Sequence, residues 1–228
     1  MIHRLFVFLV AVGAATAMAQ DSPEEKIRLR TLFLDPMEQE SLHLQIGDGV
    51  SQEIVVTKSL SRPEEIELIG GNLLFFENPL AGEGDSPKPI CQAVRPKKGK
   101  DLLAVFSSSK TPKGGKPKVR VLVYDISDTV WQSGETLVLN MLGTDVRFYL
   151  GEFRKGIRAG KDLFVEGPTE KNEYNMARVR FEAQSKSKDW KEFQKTSLRY
   201  TGNIRYLMVS HYNRVSKRPA LLIFKVTI

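Results

Sequence analysis

In the stretch MARVRFEAQ, residues 176 to 184, apolar and polar side chains alternate from Ala177 onward. Val179, Phe181 and Ala183 fall on one side and Arg178, Arg180, Glu182 and Gln184 on the other. A period of two is the mark of a β-strand with one packed and one solvated face. The same reading extends along most of the chain. Short runs rich in Val, Ile, Leu, Phe and Tyr recur between Gly, Pro and Asp, at 27–34, 42–46, 53–57, 65–69, 72–76, 90–94, 101–106 and 118–125. They continue at 136–141, 145–150, 162–166, 176–184, 203–212 and 220–226. Only Ser185 to Lys195 has the composition to compete as a helix, and it is short. Many short strands at this spacing predict an all-β chain folded as an antiparallel β-sandwich.

RYLMVSHYN, 205 to 213, invites reading as a site because it holds two tyrosines, a histidine and an arginine. Alternation sets Ile204, Tyr206, Met208, Ser210 and Tyr212 against Arg205, Leu207, Val209 and His211, and both sets are mostly apolar. That pattern predicts a central strand covered on both faces, returned by the turn RVSKRP into a hairpin partner, ALLIFKV.

Internal similarity points to duplication. IRLRTLFLD, LHLQIGDG and QEIVVTKSLSRPEEI can be laid on VRVLVYDIS, TLVLNMLGTD and VRFYLGEFRKGIRAGKDLFV, at an offset of about 92 to 94 residues. DLLAVFSSSKTPKGGKPKVRVLVYD resembles NIRYLMVSHYNRVSKRPALLIFKV in pattern, at an offset of about 102. The expectation is two immunoglobulin-like lobes from a degenerate repeat. Residues 1–19 form a signal peptide, 20–116 the first lobe and 117–228 the second, with the Gly- and Lys-rich loop 109–117 at the boundary.

The first residues argue for export. Arg4 is followed by an apolar run from Leu5 to Ala15 and by the small-x-small triplet Ala17, Met18, Ala19. The run is too short to cross a bilayer as a retained helix, so no transmembrane segment is expected after cleavage. The destination would be the periplasm or the outside of the cell. Cys91 is the single cysteine, so no internal disulfide can form and stability must come from a packed core. Cys91 itself reads as a small buried thiol.

Charge is unevenly distributed. Residues 20–90 carry 6 Lys and Arg against 14 Asp and Glu, a net −8, whereas residues 91–228 carry 27 against 13, a net +14. Such asymmetry suits an anionic partner for the basic part, or self-association through the opposite charges of the two parts. The densest cations are Lys97, Lys98 and Lys100, then Lys110, Lys113 and Lys116. These two clusters flank one strand, so they should sit at opposite ends of a sheet. Export and the absence of an RNP1-like strand or helix-turn-helix argue against nucleic acid. An envelope protein or an anionic envelope polymer is the expected partner.

Motifs for chemistry are missing. His43, His211 and Cys91 lack ligand spacing, which excludes a zinc site, and IGDG (46–49) reads as a hairpin turn, with no calcium loop around it. WQSGET (131–136) is not a nucleophile elbow, Glu64, Glu65 and Glu67 read as a solvated strand edge, and neither GG (70–71) nor KGGK (113–116) opens a helix. A serine could meet His211 and an aspartate in space, which one sequence does not reveal. No catalytic residue, cofactor or metal is assigned, and the chain is expected not to be an enzyme. Trp131 and Trp190 lie outside obvious core strands, which makes them candidates for stacking on sugar rings, although a tryptophan near a strand end also caps a core with its indole N–H bonded outward.

VLVYDIS, then W-x-S-G-E-T-L-V-L-N (131–140), then V-R-F-Y-L-G (146–151) resembles a pattern in small exported bacterial β-sandwich proteins of unknown function. The resemblance covers about a third of the chain and implies a sandwich in an envelope setting. It carries no activity with it. The leading functional expectation is a non-enzymatic binding or assembly component of the bacterial cell envelope. The alternative is a carbohydrate-binding module using the two tryptophans.

Overall fold

The computed structural model describes residues 25–35, 37, 39–80, 87–97, 99–108 and 118–227; the expected signal segment, 1–19, lies outside them. Sixteen strands account for the regular structure of the described residues, without a helix. The first eight are β1 (Glu25–Phe33), β2 (Ser41–Gly47), β3 (Val50–Val55), β4 (Glu64–Leu68), β5 (Asn72–Phe76), β6 (Cys91–Val94), β7 (Asp101–Ser108) and β8 (Val119–Asp125). The second eight are β9 (Thr136–Asn140), β10 (Val146–Leu150), β11 (Phe153–Ile157), β12 (Asp162–Val165), β13 (Met176–Gln184), β14 (Trp190–Arg199), β15 (Ile204–Asn213) and β16 (Arg218–Thr227).

They form four four-stranded sheets, ordered β4-β1-β7-β8, β3-β2-β5-β6, β12-β9-β15-β16 and β11-β10-β13-β14. Adding eight to each strand number of the first pair of sheets reproduces the second pair. The match includes pairing sense: β1 runs parallel to β7 and β9 parallel to β15, and every other ladder is antiparallel. The chain is therefore two β-sandwich lobes of one topology.

Each lobe encloses a core between its two sheets. In the first, Leu29, Phe33, Leu44, Ile54, Phe75 and Phe106 are completely buried, and Phe33 stacks on Phe106 at 4.3 Å between centroids. In the second, Val146, Phe148, Val179, Phe181 and Met208 do the same, with Phe148 on Phe181 at 5.4 Å. A third core joins the lobes: Leu32, Leu103 and Val105 from β1 and β7 pack with Leu137, Leu139, Leu207 and Val209 from β9 and β15. The sheets thus stack four deep, with β4-β1-β7-β8 and β12-β9-β15-β16 as the inner layers. Strands covered on both faces must be apolar on both. This explains LLAVF in β7 and YLMV in β15, where every residue from Ile204 to His211 is buried. The reading of RYLMVSHYN as a central strand holds, and ALLIFKV is its hairpin partner in β16.

The connection between lobes is part of the shared core. Ile126 and Trp131 are buried there, and the Trp131 indole N–H donates to the Glu135 carbonyl at 3.3 Å. Arg205 reaches Asp128 at 2.6 Å, and its guanidinium lies 5.6 Å from the Trp131 ring centre. Asn140 ends the segment: its amide donates to the carbonyls of Thr144 and Ile157, while its oxygen accepts from the Leu142 N–H. The W-x-S-G-E-T-L-V-L-N pattern is thus the seam between lobes. Gly151 closes the next turn at φ 54°, where a Cβ would stand 2.7 Å from Pro168 Cβ.

Several expectations shift. The boundary drawn at 116/117 falls between β7 and β8, which are paired strands of one sheet, so the change of lobe lies between Asp125 and Thr136. Of the two internal alignments, the one at an offset of about 102 matches β7–β8 to β15–β16 as the topology does. The one at 92 to 94 is one strand out of step, because it lays β1 on β8 where β9 is the counterpart. Strands β11 and β14 were not anticipated, and the stretch weighed as a helix forms most of β14. Both are edge strands with few fully buried side chains, so neither shows the clean alternation of MARVRFEAQ. IGDG is a hairpin turn as expected, with Gly49 at φ 66°.

Candidate functional site

The outward face of the β11-β10-β13-β14 sheet is built by register. Tyr149 stands opposite Arg154 on one side and Arg180 on the other, and Arg180 stands opposite Lys195. One row across four strands therefore reads Arg, Tyr, Arg, Lys. The next row places Arg147 beside Glu182 and Glu192, and Arg178 follows on the opposite side. These side chains point outward because their neighbours Phe148, Val179 and Phe181 fill the lobe's core.

Guanidiniums and rings interleave on this face. The Arg180 guanidinium lies 3.9 Å from the Tyr149 ring centre, those of Arg154 and Arg147 lie at 5.4 and 5.8 Å, and Arg147 also sits 4.6 Å from the Trp190 ring. Cations over aromatic faces are held by the ring quadrupole and keep N–H groups free for a second partner. Glu182, which is buried, accepts from Arg147 Nε at 2.6 Å and has Arg180 Nε at 3.6 Å. It thereby fixes the two guanidiniums while neutralising part of their charge. Arg154, Arg178 and Lys195 are exposed and have no carboxylate partner among the described residues. Like charges directly opposite on a sheet destabilise it, so a row holding Arg180 against Lys195 is not what packing alone selects.

The residues singled out in the sequence are spread elsewhere. Lys97 and Lys100 are exposed near the start of β7, while Lys98, Lys110, Lys113 and Lys116 lie outside the described residues. Trp131 is 1% exposed, which removes it as a sugar platform: the third core needs a large apolar side chain at the seam. Trp190 is partly exposed beneath Arg147. Alternation in MARVRFEAQ already placed Arg178 and Arg180 on a wet face, but their meeting with Tyr149 and Arg154 is a matter of strand pairing. The runs VRFYL and EFRKG carry the signal only once β10, β11 and β13 are known to be neighbours.

A cleft at one end of the seam gathers Asp35, Ser108 and His211. They are not arranged as a nucleophile, base and orienting acid. Asp35 Oδ2 accepts from the Ser108 N–H at 2.9 Å and its hydroxyl at 3.1 Å, and Oδ1 pairs with Arg214 at 3.0 Å. No hydrogen bond joins His211 to either residue among the described residues, and its Nδ1 is buried without a partner. Burial lowers the His211 pKa, which Asp35 partly opposes. Cys91 is buried and its thiol is pushed up to about 12 by desolvation, which keeps it protonated and unreactive at neutral pH. No group of His, Cys, Asp and Glu able to hold a metal occurs among the described residues.

No family model and no curated protein sequence matches the chain. Among solved structures, a crystal structure of a DUF3823 family protein from Bacteroides ovatus ATCC 8483 is similar over 78% of this chain and 100% of that chain, at 13% identity and a TM-score of 0.21.

Proposed function

We propose that this chain is an exported, non-enzymatic binding protein of the bacterial cell envelope, and that it holds an acidic polysaccharide on the outer face of its second lobe. The observation that carries the reading is the Arg154–Tyr149–Arg180–Lys195 row, in which cations flank an aromatic ring and oppose one another directly. Carboxylate or phosphate groups spaced along a polymer relieve that repulsion, and guanidiniums offer them paired N–H donors. A polymer suits a row laid across the outer face of a sheet better than a small ligand does, because small ligands favour concave sites. Export by the leader expected at 1–19 would bring such a polymer within reach. The carbohydrate-binding alternative merges with this reading at Trp190 and loses Trp131.

The test is retention on an immobilised polyuronic acid, eluted by salt, for the parent protein and for Arg154→Glu/Arg180→Glu. Retention that falls with rising salt and is abolished in the variant supports the proposal. Failure of the parent to bind, or equal binding by the variant, overturns it. Turnover of glycosides or esters by the purified protein would overturn its non-enzymatic part.

A further inference from the structure

The cleft at the seam is independent of the basic sheet face. Its volume is about 1010 Å³, at the upper end of the roughly 300–1,000 Å³ typical of small-molecule sites. It forms where the parallel-paired strands of both lobes end: Leu34, Asp35 and Ser108 follow β1 and close β7, while Met141, Leu142 and His211 follow β9 and close β15. The floor is apolar, made by Leu34, Leu122, Met141 and Leu142.

The charged groups around that floor are unbalanced. Asp35 is the one carboxylate among the described lining residues, and Arg214 already neutralises it while donating to the Ser108 carbonyl. Arg120 and Lys217 line the cleft, are exposed, and have no carboxylate partner among the described residues. His211 adds a buried Nδ1 that has no partner there either. An apolar floor with two unpaired cations at its rim selects for a molecule with an apolar body and one anionic end.

We propose that the cleft binds a small amphipathic acid, an aliphatic chain ending in a carboxylate, with the chain on Leu34, Leu122, Met141 and Leu142 and the carboxylate between Arg120 and Lys217. Arg120 lies on β8 of the first lobe and Lys217 in the β15–β16 turn of the second, so the carboxylate bridges the lobes. The site does not depend on the polysaccharide reading, because it shares no residue with the basic face.

The experiment is calorimetric titration of the full chain with dodecanoate and, separately, with dodecanol below their aggregation concentrations. Saturable binding of dodecanoate at one site, at least tenfold tighter than the alcohol, is expected. Arg120→Gln and Lys217→Asn should each bring the acid toward the affinity of the alcohol, and asparagine is chosen at 217 because that residue has φ 54°. Both positions are exposed, so folding should survive, and an unchanged urea midpoint confirms it. Polyuronic acid retention should be unchanged in both variants, which separates this site from the basic face. Absence of saturable dodecanoate binding, equal affinity for acid and alcohol, or unchanged affinity in both variants would each overturn the proposal.

Discussion

The two lobes share a strand order and differ in what they show to solvent. In the first, the corresponding row across β2 sets His43 against Glu53 and the buried Phe76, with Gln45 opposite Ser51. In the second, the corresponding strand β10 presents Arg147 and Tyr149, flanked by Arg154 and Arg180. The inner faces of the same strands are alike, Leu42 and Leu44 in one and Val146, Phe148 and Leu150 in the other. The fold dictates the inner set and leaves the outer set free. Charge that accumulates on one copy alone is therefore a property of that copy's surface and not a requirement of the sandwich.

The largest effect should come from the seam, which both lobes need. Trp131→Ala removes a fully buried indole and should cost about 3–5 kcal/mol, lowering a single unfolding transition followed by urea denaturation. Two separated transitions in the parent protein would mean that the lobes are not coupled through the third core. Next is the clamp at the cleft, where Asp35→Ala leaves the Ser108 N–H without its carboxylate and Arg214 without its pair. A loss of about 1–3 kcal/mol is expected, measured in the same way.

The difference between the outer faces gives a smaller effect with a telling sign. Lys195→Glu replaces a like-charge pair with an attractive one opposite Arg180, and should stabilise the fold by about 0.2–1 kcal/mol while weakening polyuronic acid retention. A substitution that gains stability and loses binding distinguishes a functional surface from a solvated one. His43→Lys, on the first-lobe strand that corresponds to β10, should leave retention within twofold.

Acid should reveal the smallest effect. His211 is held neutral by burial, so its folded pKa lies below the ordinary value of about 6.5. Between the two values the unfolded chain binds more protons, so the His211 contribution is complete above about pH 7 and is lost as pH falls through 6.5 toward the folded value. Urea midpoints at pH 7.5 and 5.5 should differ less in His211→Gln than in the parent.

Much of this architecture could be read from residues alone because burial imposes a period. Alternation in β13 and the double-sided apolar run of β15 follow from having one or two covered faces, and both were readable. Strands β11 and β14 escaped because their sequences, FRKGI and WKEFQKTSLR, are mostly polar and hold too few apolar residues to show a period. The candidate site escaped for another reason. Tyr149, Arg154, Arg180 and Lys195 are spread over four strands, and only the cross-strand register makes them neighbours. Trp131 misled because its sequence neighbours are turn residues, while the core it fills belongs to the other lobe as well.

The seam also bears on how such a molecule could arise. The faces that meet there come from equivalent strands, β1 and β7 against β9 and β15, so each unit covers the apolar face of the other with its own counterpart. A single copy of the eight-strand unit would carry that apolar face uncovered and would pair with another copy of itself. Fusion of the two copies through 126–135 makes the pairing independent of concentration, and frees each outer face to diverge while the dimerising face stays shut.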